Sequence, residues 1–382
     1  MLPDRWNPTE IGEIAKFSSG ATPSKQNISF WGGIHPWITA KDLKQHYLEN
    51  SIDTLTDIGL ANAKTAPTGA SLILVRGMTL LKDFPVGYAT RPMSFNQDVK
   101  ALVPLKGIDG LFLSFLLASQ KEKIRQLVST AGHGTGRLDT ESIKSFPINL
   151  PPLEEQEKIA HILSTWDKAI ATTEKLFANS RQQKKALMQQ LLTRKLCFFE
   201  HNEKWSELEL EKICSIDKGI QINKITLTHL GKYPVINGGV TPSGYTDDYN
   251  CEANTITISE GGNSCGFVGY MKQQFWCGGH CYSLNNVKVD NSYLFQFLKF
   301  NEPKIMRLRV GSGLPNIQKR AIGSVLIAIP PALEQQKIAQ VLTTADHEIE
   351  TLQQKLACLK QEKKALMQQL LTGKRRVKVD ES

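Results

Sequence analysis

The amino-acid sequence predicts an α+β protein, with two globular α/β-type domains separated by two long antiparallel helices in a pseudo-twofold arrangement. A segment of 45 residues occurs twice, at 151–195 and at 330–374, and 25 of these positions are identical at a constant offset of 179 residues. The stretch before each copy has the mixed helix and strand patterns of a globular domain. The repeat therefore indicates one frame that carries two different domains.

Both copies of the repeat carry apolar residues in alternating steps of four and three, the heptad spacing of helices that pack along their length. A Pro-Pro pair precedes each pattern, and proline is tolerated in the first turn of a helix but not in its interior. Lys184 and Lys363 occupy the same seam position, where they either fix the register or mark an opening towards another protein. The predicted seam is Ile159, Leu163, Trp166, Ile170, Phe177, Leu187 and Leu191, with Ile338, Leu342, Ile349, Leu352, Leu356, Leu359, Leu366 and Leu370.

An isolated apolar stripe is usually the buried side of an ordinary core helix. Two matched stripes favour a helix pair, because each seam needs a partner and the intervening segment has the size of one compact domain. The second helix is therefore expected to run back along the first. The predicted boundaries are a first domain at 1–150, a central helix at 151–196, a second domain at 197–329, a C-terminal helix at 330–375 and a basic tail at 376–382.

The composition favours a basic protein with a polyanionic partner. The chain of 382 residues is 41% hydrophobic, and its formal net charge is +9 with a pI near 9.1. The N-terminus carries charge where a signal peptide needs an apolar core, and no apolar run is long enough to span a membrane. The chain is therefore expected in the cytoplasm, without a membrane contact.

The seven cysteines are expected to be reduced thiols rather than a disulfide framework. Cys277, His280 and Cys281, in FWCGGHCYSL, come closest to a metal cluster. Their spacing lacks the paired CxxC of a structural zinc site. A buried glycine-rich strand and turn is therefore the favoured interpretation, and no metal is expected.

The two globular parts begin and end alike but differ between. Trp6 leads into IGEIAKFSSGATPSK and Trp205 into LELEKICSIDKGIQINK, and both parts close with a glycine-rich loop, a short helix, an apolar strand and Pro-Pro. Strands are predicted in SLILVRG, after FNQD and in NTITISEGG, and helices at 111–128 and in YLFQFLKF. A shared scaffold with different interiors is expected when two copies recognise different targets.

The order PWITAKDL, RG, FNQDVKAL, GTGRLDTESI and PINLPPLEEQEKIAHIL, followed by a second such unit, resembles the specificity subunit of a type I restriction-modification system. The PPLEEQ-type helix starts and the KKALMQQLL helix ends are the most specific motifs, and the resemblance covers nearly the whole chain. The second unit departs from the pattern, with PALEQQ for PLEEQE and no evident counterpart of PWITAKDL.

The resemblance implies a noncatalytic DNA-reading subunit. Each target recognition domain would bind one half of a split, asymmetric site in double-stranded DNA, and the helices would set the spacing. Two methyltransferase subunits would dock on the helices, and restriction subunits would join them. The complex would then act as a DNA adenine methyltransferase and an ATP-dependent endonuclease. No cofactor is expected in this chain, because S-adenosylmethionine, ATP and Mg²⁺ would belong to the partner subunits.

The expected DNA contacts are polar and basic loop residues, since Lys and Arg bind phosphates while Asn, Gln, Arg, Ser and Thr read base edges. For each one the alternative is an ordinary solvated loop or helix cap. Trp37, Phe275 and Trp276 are expected in the core rather than stacked on bases. The candidates are Ser18, Ser19, Thr22, Lys25, Lys41, Arg76, His133, Thr135 and Arg137 in the first domain, and Lys218, Gln221, Asn223, Lys224, Asn263, Ser264, Ser312, Asn316 and Lys319 in the second.

Two other classes of function are weighed against DNA reading. A methyltransferase needs a cofactor loop and an NPPY-type motif, but the Pro-Pro pairs here lie at helix starts, and no GxxxxGK[ST] nucleotide loop is present. A coiled-coil scaffold without sequence-specific DNA binding explains the repeat but not the basic charge. Such a scaffold predicts little salt dependence, whereas a DNA reader loses affinity steeply as salt rises.

Overall fold

The computed structural model describes residues 5–130, 134–198, 204–223, 225, 227–228, 230–311, 313 and 315–378. The chain divides into a first unit, Met1–Thr173 with Leu356–Ser382, and a second unit, Glu174–Lys355. Each unit holds one globular domain of mixed helices and strands and one part of each long helix. The predicted α+β class with two long helices is confirmed.

The first domain is built on a five-stranded sheet in the order β2-β11-β7-β9-β4 and a four-stranded sheet in the order β5-β3-β10-β6. Its strands are β1 (Asn7–Glu10), β2 (Ala15–Ser19), β3 (Trp31–Ile38), β4 (Tyr47–Leu48), β5 (Asp53–Leu55), β6 (Thr65–Ala66), β7 (Ser71–Leu74), β8 (Arg76–Gly77), β9 (Val86–Ala89), β10 (Met93–Phe95), β11 (Val99–Pro104), β12 (Ser129–Thr130), β13 (Gly136–Arg137) and β14 (Pro147–Leu150). Its helices are α1 (Ile11–Ile14), α2 (Asp57–Ala61), α3 (Gly110–Ser119), α4 (Lys121–Arg125) and α5 (Thr140–Lys144), with 3-10 turns at Ile28–Phe30 and Met78–Leu81.

Strand β7 is buried at all four positions, because the sheet continues on both its edges and α3 packs on its face. The helix predicted at 111–128 is present but broken. Gln120 has φ −93° and ψ 7°, outside the helical region, and its N–H donates to Leu116 and Leu117. The chain then re-enters a helical turn that buries Ile124 in the same core.

The second domain repeats this plan with fewer strands, in the sheet orders β16-β22-β19-β20 and β18-β17-β21. Its strands are β15 (Ser206–Glu209), β16 (Ser215–Lys218), β17 (Tyr233–Ile236), β18 (Tyr245–Thr246), β19 (Thr255–Ser259), β20 (Val268–Met271), β21 (Trp276–Cys277), β22 (Cys281–Asn285) and β23 (Leu326–Ile329). Its helices are α7 (Leu210–Ile213), α8 (Asn291–Phe300), α9 (Glu302–Ile305) and α10 (Lys319–Gly323), with a 3-10 turn at Met306–Leu308.

The two repeated segments form the long helices α6 (Leu153–Leu191) and α11 (Ala332–Leu370), each of 39 residues. They are antiparallel within each unit. In the first unit Lys363 pairs with Asp167, and in the second Lys184 pairs with Asp346, so both seam lysines are matched by a carboxylate on the other helix. A lysine and an aspartate that face each other fix the register of the pair more strongly than apolar contacts alone.

Burial along the predicted seam is greatest near the globular domains. Ile159, Leu163 and Leu370 belong to the core of the first unit, and Ile338 and Leu342 belong to the core of the second. Each domain therefore packs directly on both helices of its unit. The other predicted seam residues, apart from the buried Leu191, are half-buried: Trp166, Ile170, Phe177, Leu187, Ile349, Leu352, Leu356, Leu359 and Leu366.

A glutamine in the first turn ties each long helix to its domain. Gln156 donates to the carbonyl oxygen of Pro151 and accepts the N–H of Asp109 at 3.0 Å, and Asp109 caps α3. Gln335 makes the same contacts with Pro330 and Asp290. The PPLEEQ-type motif is therefore a joint between a domain and its helix.

The glutamate before each of these glutamines is bound differently in the two units. The carboxylate of Glu155 is 1% exposed and accepts hydrogen bonds from Trp6 at 3.0 Å and from Arg376 at 2.8 and 2.9 Å. Glu334 accepts one from Trp205 at 3.2 Å, while its buried Oε1 has no hydrogen-bond partner among the described residues.

Replacing Glu155 by Gln is expected to destabilise the first unit by about 2 kcal/mol, because the charge-assisted bonds to Arg376 are lost while the site remains buried. Glu334→Gln is the matched control and should change the free energy of unfolding of the second unit by less than about 1 kcal/mol, since no cation of the described residues pairs with that carboxylate. Amide exchange of β1 and β14, compared with β15 and β23, measures both effects. Equal losses in the two units would contradict this account.

No helix in the described part of the chain is long and apolar enough to cross a membrane.

Candidate nucleic-acid interface

A tightly packed glycine fixes the same turn in both domains. Gly20 follows β2, and a Cβ atom there would lie 2.2 Å from the carbonyl oxygen of Asn96. Gly219 follows β16, and a Cβ atom there would lie 2.3 Å from the carbonyl oxygen of Gly278. No side chain fits at such a distance, so glycine is required for this close approach of two backbones. The polar turns that follow these glycines are therefore anchored in the same way.

The turns packed against the two glycines also correspond. The carbonyl oxygen of Ile38 accepts the N–H of Asn96 at 3.0 Å, and that of Ile236 accepts the N–H of Gly278 at 2.9 Å. The parallel strand pairs β3 with β10 and β17 with β21 lead into these bonds. FNQD at 95–98 therefore corresponds to CGGH at 277–280, and PWIT at 36–39 corresponds to PVIN at 234–237. The expectation that the second domain lacks a counterpart of PWITAKDL is wrong, because β17 takes that place with different residues.

The first domain gathers three cations beside this turn. Arg76 in β8 lies opposite Arg137 in β13, and Lys100 in β11 donates a hydrogen bond of 2.8 Å to Ser19. Together with Gln97, the three cations line a surface cleft of about 180 Å³. Within the described residues, neither guanidinium makes a hydrogen bond or an ion pair. Both remain available to an external acceptor such as a phosphate or a base edge.

The second domain carries a carboxylate at the corresponding place. The carbonyl oxygen of Glu260 accepts the N–H of Ile317 at 2.8 Å, just as that of Val75 accepts the N–H of Leu138 at 2.9 Å. The same backbone position thus holds a buried apolar side chain in one domain and an acid in the other. The two domains share a frame but present different chemistry.

The Glu260 side chain is 12% exposed and organises three neighbours. Lys218 donates to Oε1 at 2.6 Å, and Tyr282 donates to the same oxygen at 3.1 Å. His280 Nδ1 lies 3.6 Å from Oε2. Burial, followed by the charge of Glu260, raises the pKa of Tyr282 to about 12, so its hydroxyl remains a hydrogen-bond donor at neutral pH.

Four predicted residues of the first domain lie around the cation cleft: Ser19, Thr22, Arg76 and Arg137. Thr22 bonds Gln97, which connects the early polar turn to the cleft. Four other predicted residues lie elsewhere in the described part of the domain: Ser18 is half-buried in β2, Lys25 lies 5.8 Å from the ring of Trp37, Lys41 is exposed after β3, and Thr135 precedes β13.

In the second domain Lys218 and Asn316 lie at the equivalent site, Lys218 through Glu260 and Asn316 through its bridge to Gly261. Gln221 packs against Gly279 of the CGGH turn. The remaining predicted residues lie in other segments: Asn223 lies two residues after Gln221, Asn263 and Ser264 lie in the turn after β19, and Lys319 is the first residue of α10. His133, Lys224 and Ser312 lie outside the described residues.

Of the three aromatic residues expected in the core, two are buried and one is half-buried. Trp37 and Phe275 are buried, as predicted, while Trp276 is half-buried and donates its indole N–H to the carbonyl oxygen of Ile220 at 2.8 Å. Cys277 and Cys281 are buried with their thiols towards backbone carbonyl oxygens, whereas His280 is exposed. Among the described residues no group of three His, Cys, Asp or Glu side chains is placed to hold a metal ion.

Sequence reasoning did not select Lys100, Glu260, His280 or Tyr282. These residues could be found only by aligning FNQD with CGGH. The two segments have no residue in common, and their equivalence is seen only in the backbone contacts that they make with Gly20 and Gly219. Once the two turns are aligned, Lys100 lies two residues after FNQD, and Tyr282 lies at the equivalent place two residues after CGGH.

The fold defines a protein of two related globular domains that share one pair of long helices. A family model described as "Type I restriction modification DNA specificity domain" matches residues 3–178 and 202–361. The chain belongs to this family.

Several curated relatives carry matching names. The type I restriction enzyme EcoR124I/EcoR124II specificity subunit of Escherichia coli is 32% identical over 160 residues, 41% of this chain and 40% of that protein. The MjaVIII specificity subunit of Methanocaldococcus jannaschii is 23% identical over 414 aligned positions, which cover 99% of this chain and 94% of that protein. In fold, the chain is similar to the crystal structure of the type I S subunit from M. genitalium, with a TM-score of 0.73, 20% identity and coverage of 97% and 98% of the two chains.

Proposed function

We propose that this chain is the DNA-reading subunit of a type I restriction-modification complex and that it performs no catalysis itself. Each domain binds one half of a split, asymmetric site in double-stranded DNA, and the two helices set the spacing between the halves. The observation that carries this proposal is the pair of equivalent sites with unlike chemistry, because unlike sites on equal frames fit unlike half-sites.

The charges around the two sites support DNA as the ligand. Arg76, Lys100 and Arg137 are cations in one surface cleft, and an arginine fork matches both phosphate oxygens and the acceptor edge of guanine. The second site combines donors and an acceptor, which suits base edges that carry an amino group. Loops on a rigid scaffold are also where binding residues generally occur.

The long helices are proposed to dock two methyltransferase subunits, with restriction subunits joining that assembly. S-adenosylmethionine, ATP and Mg²⁺ would then be bound by those partners and not by this chain. In support, the family to which the chain belongs is described as a type I restriction modification DNA specificity domain, and α6 and α11 are two helices of equal length, 39 residues each.

The deciding experiment is coexpression of this chain with the methyltransferase encoded beside it, followed by genome-wide mapping of methylated adenines by single-molecule sequencing. We expect one motif with two unlike halves around a fixed gap, and loss of the signal when this chain is omitted. Methylation that persists unchanged without the chain, or an active complex with no split motif, would favour a coiled-coil scaffold instead.

A further inference from the structure

Glu260 is an acid at a surface that otherwise suits DNA. A carboxylate is repelled by phosphates, so its position beside Lys218, in the second copy of the candidate reading site, requires a different explanation from affinity for the backbone. Acids in DNA interfaces accept hydrogen bonds from exocyclic amino groups, chiefly that of cytosine.

The hydrogen bonds around Glu260 leave one oxygen available. Oε1 is used twice, by Lys218 and Tyr282, whereas Oε2 accepts no hydrogen bond from any described residue and has only His280 nearby, at 3.6 Å. Lys218 and His280 are 54% and 64% exposed, so the carboxylate lies just beneath two side chains that face solvent.

The Glu260 carboxylate is also held in one position by the backbone that carries it. The backbone of Glu260 is bonded on both sides, with its N–H donating to His280 at 2.9 Å and its carbonyl oxygen accepting from Ile317 at 2.8 Å. Lys218 donates to Oε1, and the Tyr282 hydroxyl shares its proton between Oε1 and the carbonyl oxygen of Ile317 at 3.2 Å, so the carboxylate is oriented before any ligand arrives. A preorganised acceptor of this kind discriminates well, because a wrong partner leaves it unpaired.

We infer that Glu260 is a specificity-determining residue: its Oε2 accepts a hydrogen bond from the amino group of adenine or cytosine in the half-site read by the second domain. This inference rests on the proposed function. Lys218 supports the same assignment, because it offsets the charge of Glu260 and presents a donor beside the acceptor. Adenine offers such a donor and acceptor pair, and cytosine offers the amino group alone.

The first domain differs at this point. Val75 replaces Glu260, and the neighbouring Arg76, Lys100 and Arg137 are all donors. The three cations match guanine and phosphates, while the backbone position of Glu260 holds the apolar Val75. The two half-sites should therefore be read differently at the equivalent contact, since only the second domain has a carboxylate at this backbone position.

Glu260→Gln tests the inference, because the amide keeps an oxygen for Lys218 and Tyr282 but replaces the Oε2 acceptor with a donor. The full chain in complex with its methyltransferase is titrated with duplexes in which each base pair of the mapped motif is changed in turn, at one salt concentration. We expect the wild-type protein to prefer one base pair by about 10- to 100-fold at one position of the second half-site, and this preference should depend on the exocyclic amino group of the adenine or cytosine in that pair. The variant should lose that preference while it retains every other one.

Glu252→Gln is the matched control, since Glu252 is an exposed carboxylate of the same domain that accepts from Gln274, and its loss changes the net charge equally. It should leave all base preferences intact. The inference is overturned if Glu260→Gln leaves every preference unchanged, if the preference of the wild-type protein survives removal of the exocyclic amino group from the adenine or cytosine of that pair, or if discrimination falls equally at all positions. If the wild-type complex shows no split motif, the proposed function itself fails, which is a distinct result.

Discussion

Replacing Arg76 and Arg137 together by Gln is expected to lower the affinity of the complex for its DNA by about 100-fold. Each guanidinium is exposed and makes no bond within the described residues, so neither is needed to hold the domain together. A contact of this kind is worth about 1–3 kcal/mol, and two of them account for the expected loss. Titration of a labelled duplex over a series of salt concentrations measures it.

The salt series also distinguishes contacts to phosphates from contacts to bases. For each guanidinium that reaches a phosphate, the slope of log affinity against log salt should fall by about 1, whereas a base contact changes the sequence preference of the first half-site instead. Arg91→Gln with Arg125→Gln is the control, since both are first-domain arginines that do not line the cleft. A loss no larger than that of the control would show that the cleft does not bind DNA.

The helical frame could be predicted from sequence because its determinants are local. The heptad spacing and the Pro-Pro pairs place the starts of α6 and α11 within two residues and their ends within five residues of the observed helices. The partners of the seam lysines could not be predicted, because Asp167 and Asp346 are distant in sequence from Lys363 and Lys184 and belong to the polar part of the pattern. Only the folded chain brings these charges together.

The ends of the two repeats show how one backbone accepts different residues. Gly373, just after α11, has φ 70°, and Arg194, at the equivalent place after α6, has φ 58°. Glycine reaches the left-handed region without strain, whereas arginine does so at a cost in backbone energy. Both copies of the repeat therefore end in the same turn. Only the glycine of the second copy is a residue that indicates such a turn in the sequence.

The candidate site was only partly predictable. Polar loop residues such as Arg76 and Arg137 could be selected because glycine-rich turns flank them, but their alignment across β8 and β13 depends on a pairing of distant segments. Glu260 gave no signal, because an isolated acid after a strand is usually solvated. Its importance emerges from Lys218, Tyr282 and His280, which three separate segments bring to it.

His46 has an environment in the first unit that disfavours charge. Its ring is stacked on Phe115, with centroids 4.6 Å apart, and its Nε2 lies 3.1 Å from Ser114 Oγ. Since the Ser114 hydroxyl donates to the carbonyl oxygen of Leu111, Nε2 carries the proton and donates to Ser114. Burial lowers the pKa of His46 to about 4, and the charge of Lys363 contributes in the same direction.

Acidification should therefore destabilise the first unit through this residue. In the unfolded chain His46 has its ordinary pKa of about 6.5, so below that pH the unfolded state binds a proton that the folded state rejects. The stability contribution is complete above about pH 6.5 and falls as the pH drops towards 4, where the loss reaches about 3 kcal/mol.

Urea unfolding, followed by amide exchange of β7 and β9 at pH 7.5 and at pH 4, measures this loss of stability. His46→Gln stays neutral at both values and should show a pH dependence smaller by that amount, whereas His161→Gln, on the exposed side of α6, should match the wild type. An unchanged dependence in His46→Gln would mean that this imidazole is protonated without penalty in the folded protein.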